Sequence, residues 1–205
     1  ASKSDYERGV EQEAYAYEWK HTVKPEELFH MRFDVIISNP PYQLGSNDNR
    51  STSRDKPIYN LFVNEAKKLK PRYMVMIIPS RWMASGLGLT EFRQEMLSDK
   101  HIRSLTDYPV AGNVFSGVEI KGGVCYFLWD RDNTGHCMVT SIRDNEVVGP
   151  VTRELGEYDV FVRDSRAISI LHKVLSHNEE SIISALSVDK EFGWTSNFEG
   201  FHTDK

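Results

Sequence analysis

The stretch Phe33-Asp34-Val35-Ile36-Ile37-Ser38-Asn39-Pro40-Pro41-Tyr42 decides how this chain is read. Residues 33–38 are β-branched and almost continuously apolar, the pattern of a strand buried on both faces of a parallel sheet. The strand must stop at Asn39-Pro40-Pro41-Tyr42, because two successive prolines cannot continue a ladder. In an open α/β sheet ligands bind at the carboxyl ends of strands, so the placement of this tetrapeptide matters as much as its letters. Asn39 offers a side-chain carbonyl, and Pro40 a backbone carbonyl with no N–H. The prolines stiffen the corner, and Tyr42 adds a flat face for stacking. Two fixed acceptors beside an aromatic plate suit the NH₂ group of a planar ring. Hydrogen bonds from that amine to both oxygens draw its lone pair out of conjugation and make the nitrogen a better nucleophile toward an activated methyl group. Such dipoles act strongly in a dry site and need no metal or charged base. The plain alternative is a rigid strand-end turn with an incidental tyrosine. The apolar strand that feeds directly into the corner favours the ligand-binding reading.

Working outward, the rhythm is strand–helix–strand–helix–strand. Residues 43–56 read as a loop. A helix is expected from about Pro57 to Leu69, with Ile58, Leu61, Phe62, Ala66 and Leu69 on one stripe and Lys67, Lys68 and Lys70 at its carboxyl end, where the dipole favours cations. Residues 73–78 form a second buried strand, closed by Pro79-Ser80. A helix near 89–97 follows, with Thr90 as its cap. Residues 102–108 and 122–129 read as third and fourth strands. After Asp130 the pattern weakens, although Asp164 or Ser165 could cap a helix carrying Ile168, Leu171, Val174 and Leu175. Upstream, residues 1–32 read as a charged helical lead-in, and residues 187–205 are aromatic and irregular. The rhythm predicts an α/β fold with right-handed crossovers.

The chain has 205 residues, 40% hydrophobic and 27% charged, an ordinary globular composition sufficient for one domain or one domain and part of another. No apolar run reaches the ~20 residues of a membrane helix. The polar start Ala1-Ser2-Lys3-Ser4-Asp5 does not read as a signal peptide. Cys125 and Cys137 cannot form a disulfide framework or a four-sulfur zinc site, which fits a reducing, cytoplasmic setting. The seven histidines lack the spacing of a zinc helix, so no metal site is expected. Net charge is -5, and any contact with nucleic acid must come from a local patch. One such patch exists: residues 50–72 hold Arg50, Arg54, Lys56, Lys67, Lys68, Lys70 and Arg72 against only Asp55 and Glu65. Arg50, Arg54 and Lys56, close to Tyr42, read equally as phosphate contacts or as solvated loop cations.

The sequence resembles the adenine-specific (N6) DNA methyltransferases of bacterial restriction–modification systems, especially the group in which the methylase is linked to restriction activity. Four segments between residues 33 and 130 carry the resemblance. Asn39-Pro40-Pro41-Tyr42 matches the family's catalytic tetrapeptide, and Ile58-Tyr59-Asn60-Leu61-Phe62 the helix after it. Tyr73–Ser80 with Arg81-Trp82-Met83 matches the next strand and its turn. Val114–Leu128 matches the later segment whose Phe packs on the target base. The resemblance implies a class I methyltransferase (Rossmann-like) sheet, S-adenosylmethionine as methyl donor, and double-stranded DNA with a flipped adenine as partner. Asn39 and the Pro40 carbonyl would accept from the adenine amino group, with Pro41 bracing the corner. Tyr42 would stack on the flipped ring and Phe115 would contact it from another side.

One departure shapes the expected organisation. The family's donor site opens with a Gly-rich turn upstream of the catalytic tetrapeptide, but the 38 residues before Asn39 hold a single glycine, Gly9. The expectation is therefore the second half of a class I methyltransferase sheet with a short α+β extension: residues 1–32 a lead-in, 33–150 a partial catalytic domain, and 151–205 a linker and the start of a target-recognition region. The cofactor-binding residues stay unassigned. Strand 33–38 is expected at an edge, covered by residues 1–32 or by a second copy of the chain. Two other readings stand beside this one. Glutamine-modifying protein methyltransferases carry the same tetrapeptide, leaving a protein or RNA substrate open, and a non-catalytic DNA-binding or specificity module could retain it. Calorimetry on the isolated chain is expected to show no micromolar binding of S-adenosylmethionine. Tight binding would overturn the view that the donor site is incomplete.

Overall fold

The computed structural model describes residues 32–43, 56–84, 88–144 and 146–179. Two compact units divide the chain, Ala1–Ile168 and Ser169–Lys205. The first is built on a six-stranded mixed sheet: β1 (Val35–Ser38), β2 (Tyr73–Pro79), β3 (Ile102–Tyr108), β4 (Val124–Asp130), β5 (Cys137–Arg143) and β6 (Glu146–Arg153), in the spatial order β1-β2-β4-β3-β5-β6. The α/β expectation is met. Helix α1 (Tyr59–Lys68) joins the parallel pair β1 and β2, and helix α2 (Thr90–Ser98) leads from β2 to β3. Strand β4 runs antiparallel between β2 and β3 and pairs with both.

The alternation of β2 explains the core. Met74, Met76 and Ile78 point to one face and are buried, while Tyr73, Val75 and Ile77 on the other face are only partly covered. Both helices cover the first face: Tyr59 of α1 and Phe92 of α2 meet edge to face at 6.0 Å, and both join the cluster with Met74, Met76, Ile78, Leu105 and Phe127. The buried stripe of α1 is Tyr59, Val63 and Ala66, rotated from the expected one; Leu61 and Phe62 are half-buried on its flank. Apolar residues surround this helix on several sides, so periodicity locates a helix here without fixing which stripe meets the sheet. Thr90 is the first helical residue of α2, not its cap; Leu89 occupies the cap position, with no side-chain hydrogen bond.

Strand β1 departs from the expectation of burial on both faces. Val35 is 50% and Ile37 79% exposed, while Ile36 packs on the core. An apolar strand is buried only where neighbours cover it, and β1 pairs with β2 alone among the described residues. Among the described residues it stands at the edge of the sheet. The lead-in 1–31 and the tail 187–205 lie outside the described residues.

Beyond Asp130 the chain adds a hairpin that the sequence did not announce. Strand β5 pairs parallel to β3, and β6 returns antiparallel along it. Their sequences, CMVTSIR and EVVGPVTR, mix polar residues with Gly149 and Pro150, which blurs the alternation that marks a strand. Asp164 does cap the turn Ser165–Ala167, its carboxylate accepting from the Arg166 N–H at 3.0 Å. Helix α3 (Ile168–Leu175) carries the expected apolar residues.

At the amino end of β3, Asp99 ties three elements together. It accepts from Lys67 Nζ of α1 at 2.7 Å, from Trp129 Nε1 of β4 at 3.0 Å and from the His101 N–H at 3.0 Å. Burial alone would raise its pKa, but the Lys67 ammonium and these hydrogen bonds outweigh burial and hold it below the usual carboxylate value. A depressed folded-state pKa contributes stability that is full above the unfolded value near 4 and is lost as pH falls through the folded one. Asp99→Asn is therefore expected to destabilise the fold at neutral pH and to flatten the acid limb of its unfolding curve. Urea melts from pH 7 down to pH 2 check this, and parallel acid limbs for both proteins would refute it.

Candidate active site

The strand order brings chain ends together. Val124, the first residue of β4, faces Pro79 at the end of β2 and Tyr108 at the end of β3. The carboxyl ends of β1, β2 and β3 thus lie on one side of the sheet, with the turn that precedes β4 among them. The close fit depends on Gly123, whose φ is +82° and whose Cβ, if it had one, would collide with the carbonyl oxygen of Tyr108.

The corner 39–42 sits at this side. Asn39 is exposed and Pro40 buried; Pro41 is exposed and Tyr42 half-buried, packed on the core cluster. Two backbone links hold the corner to the start of α1. The Ile58 N–H donates to the Tyr42 carbonyl at 3.1 Å, and Gln43 bridges Pro57. Gln43 and Pro57, which bracket residues 44–55, therefore both stand at the site. Arg50 and Arg54 lie outside the described residues. Lys56 is described and exposed, next to Pro57.

Tyr42 lines a hollow of about 270 Å³. That exceeds the ~150 Å³ of a cavity that holds one benzene ring. Tyr59, Pro79 and Leu89 lie on its apolar side. Arg81, Glu119 and Lys121 bring charge to it, and Ile120 sits between the last two. The hydroxyl of Tyr42 points away from water into the protein and has no hydrogen-bond partner among the described residues. Burial, and then the neighbouring Cys125, push its pKa up to about 12. Burial pushes Tyr59 up as well, so both phenols stay neutral. Cys125 lies fully buried beneath them, its thiol raised to about 12 by burial first, as an inert core residue. Tyr42 thus offers the hollow its ring and not its hydroxyl.

Phe115 lies on the same side, in the loop between β3 and β4. It is half-buried, and its N–H donates to the Ala111 carbonyl at 2.9 Å. It is not among the residues lining the hollow beside Tyr42. Trp82, in the turn after β2, is wholly buried core, whereas its neighbour Arg81 does reach the hollow. The contribution of Glu119, Ile120 and Lys121 was not legible beforehand. The signal that could have found it is the Gly122-Gly123 pair that follows, which forces a tight turn at the start of β4. Among the described residues no three His, Cys, Asp or Glu side chains converge as metal ligands, and no helix is long and apolar enough to cross a membrane.

An α/β protein with a rigid acceptor corner and a ring-sized hollow at the carboxyl side of its sheet is the class these features define. The chain belongs to the Eco57I restriction-modification methylase family, whose model matches residues 2–115. That span includes the corner, Tyr59, Arg81 and Phe115 and ends before Glu119. The chain is 34% identical over 146 residues to a protein of Mycoplasma pneumoniae described as an uncharacterized adenine-specific methylase; the match takes in 67% of this chain and 35% of that protein. The chain therefore spans about a third of that relative's length. Among solved structures, it is similar to a type I restriction-modification methyltransferase subunit from Streptococcus thermophilus, at 15% identity and a TM-score of 0.38, over 73% of this chain and 33% of that one. It is similar to the EcoKI M protein at 16% identity and a TM-score of 0.38, over 57% and 27% of the two chains.

The geometry separates ring from hydroxyl at Tyr42. Tyr42→Phe is expected to keep the protein's activity within a few-fold and to leave stability unchanged or improved, because only an unpartnered buried hydroxyl is lost. Tyr42→Ala, which removes the ring as well, is expected to lower activity far more than Tyr42→Phe and to destabilise the fold, because a ring packed on the core cluster is lost. Paired activity and thermal-melting measurements on the two variants check both.

Proposed function

We propose that this chain carries the methyl-accepting half of an adenine-N6 DNA methyltransferase site in a restriction–modification system. The observation that supports this most directly is the hollow lined by Tyr42, the last residue of a proline-stiffened corner whose first residue, Asn39, is exposed; Asn39 and Pro40 themselves are not among its lining residues. Flipping a base out of a duplex costs a few kcal/mol, and stacking on an aromatic face offsets it. A purine on the Tyr42 ring would direct its exocyclic amine toward the corner. The Asn39 side-chain oxygen and the Pro40 carbonyl would each accept one N–H. Those bonds pull the amine out of conjugation and return its lone pair to nitrogen. They strengthen as positive charge develops on that nitrogen, so they act on the transition state more than on the bound base.

S-adenosylmethionine is the donor this family implies, and when bound it supplies an electrophilic methyl carbon. The described residues do not offer it a full cradle. Among the described residues, Gly117, Gly122 and Gly123 take positive φ in a loop that leads into a strand, and Gly88, also at positive φ, stands before α2 without a second described glycine beside it, so the described backbone does not form a glycine-rich turn opening onto a helix. The part assigned to this chain is accordingly orientation and activation of the amine. Arg50, Arg54 and Lys56, on or beside the loop tethered at Tyr42 and Ile58, are proposed phosphate contacts. The boundary expected at residue 150 falls inside β6, and the first unit runs on to Ile168; the residues beyond it are proposed as the linker and the beginning of a target-recognition region.

The test uses the full gene product, expressed in a bacterial host whose own adenine methylases are deleted. Mass spectrometry of total genomic DNA is expected to find N6-methyladenine with the wild type. Asn39→Ala is expected to lower turnover by roughly 10²–10³-fold, comparable to removal of one transition-state hydrogen bond elsewhere, with DNA affinity largely kept. Wild-type protein that leaves adenine unmodified, or Asn39→Ala with full activity, would defeat the proposal.

A further inference from the structure

The hollow has a wall whose position is set from a distant part of the chain. Asp107, on β3, is a carboxylate with no exposure at all, a costly placement unless its oxygens are fully occupied. They are occupied by two donors. The Ser80 hydroxyl donates to Oδ1 at 2.8 Å, and Arg163 closes on both oxygens, Nε to Oδ2 and Nη2 to Oδ1, each at 2.6 Å. This is the planar, two-pronged fit that guanidinium makes and an ammonium cannot. The remaining prong of Arg163 is used as well: Nη1 donates to the Gly122 carbonyl at 2.8 Å.

Gly122 belongs to a tight turn in which the Gly123 N–H donates to the Ile120 carbonyl at 2.9 Å and Gly122 itself takes φ +93°. Glu119, Ile120 and Lys121, immediately before it, line the hollow. A Cβ on Gly122 would lie 3.2 Å from Arg81 Cγ, so this turn approaches the opposite wall closely. Ser80, beside Arg81, completes the bracket: its N–H donates to the Gly123 carbonyl at 2.9 Å while its hydroxyl holds Asp107. Arg163 is itself delivered on a fixed strap. The Phe161 N–H donates to the Met83 carbonyl at 3.1 Å, the Phe161 ring lies 6.2 Å from that of Trp82, and Arg153 donates to the Val162 carbonyl at 2.7 Å.

We propose that Arg163 is a positioning residue for the hollow: through Asp107 and the Gly122 carbonyl it fixes the 119–123 wall against the Ser80–Met83 turn and so sets how closely that wall approaches a base stacked on Tyr42. The proposal rests on the reading of the hollow as a purine site. It also goes beyond the family resemblance, since Arg163 lies outside the matched residues 2–115. Arg163→Lys keeps a positive charge for Asp107 but cannot hold both of its oxygens and the Gly122 carbonyl together. The double variant Asp107→Asn/Arg163→Met removes the buried charges as a pair and serves if the single variant does not fold.

The test again uses the full gene product. Sequencing of genomic DNA methylated by the wild type gives the target site, and a duplex with 2-aminopurine at the target adenine is the probe. The fluorescence lifetime of bound 2-aminopurine reports how tightly the flipped ring is enclosed, and unlike intensity it does not change with the fraction of folded protein. The expected result is a lifetime distribution shifted to longer values in Arg163→Lys and in the double variant, a fall of tenfold or more in turnover, and duplex affinity within about twofold of wild type. Lifetimes identical to wild type in folded variants would overturn the positioning role alone. A wild type that makes no N6-methyladenine would overturn this proposal and the functional reading beneath it, so the two failures are distinguishable.

Discussion

Strand β4 is the constraint on which the rest of the molecule depends. By running antiparallel between β2 and β3 it must begin where both of them end, and Val124 pairs with Pro79 and Tyr108 at once. That single placement brings the Ser80–Met83 turn, the end of β3 and the 119–123 turn within reach of the corner after β1. The approach is so close that the backbone at Gly123 leaves no room for a Cβ. A parallel strand in the same slot would have started at the opposite edge and left the corner without its second wall.

The charges around the site follow from the same geometry. Packing β3 beside β4 puts Asp107 on the core face next to Cys125, where an ionised group survives only with full compensation. Ser80 and Arg163 supply it, and in doing so join three segments that are far apart in sequence. Two other polar groups in the interior near the hollow, the Tyr42 and Tyr59 hydroxyls, are treated differently: they are neutral and have no hydrogen-bond partner among the described residues. The two cases share a rule. Interior polarity is tolerated where it fixes a wall or where its loss of solvation is small.

The corner after β1 and the first four strands were legible because each has a strong local cause. Continuous β-branched runs made β1 and β2 recognisable, and paired prolines fixed where β1 ends. The hairpin β5–β6 was not legible, because its strands lie beside an already formed sheet and their polar, Gly- and Pro-containing sequences carry little alternation. The stripe of α1 was misplaced by part of a turn for a related reason: several of its faces are apolar, and only the position of β2 selects Tyr59, Val63 and Ala66. At the site, Tyr42 and Arg81 reach the hollow as their positions suggest, while Phe115 stands apart from it and Trp82 is core.

By itself the sequence determined the chemistry available at one corner: a side-chain carbonyl on Asn39 and a backbone carbonyl on Pro40, which has no N–H, held by prolines and followed by an aromatic ring. Those properties are covalent and local, so they survive any arrangement of the remaining chain. The tertiary structure alone decided what stands opposite that corner. The wall of Glu119, Ile120 and Lys121, the reach of Arg163 across the fold to Asp107, and the exposed edge at Val35 and Ile37 arise from strand order and register. Those quantities depend on contacts between residues tens of positions apart, which local pattern does not encode.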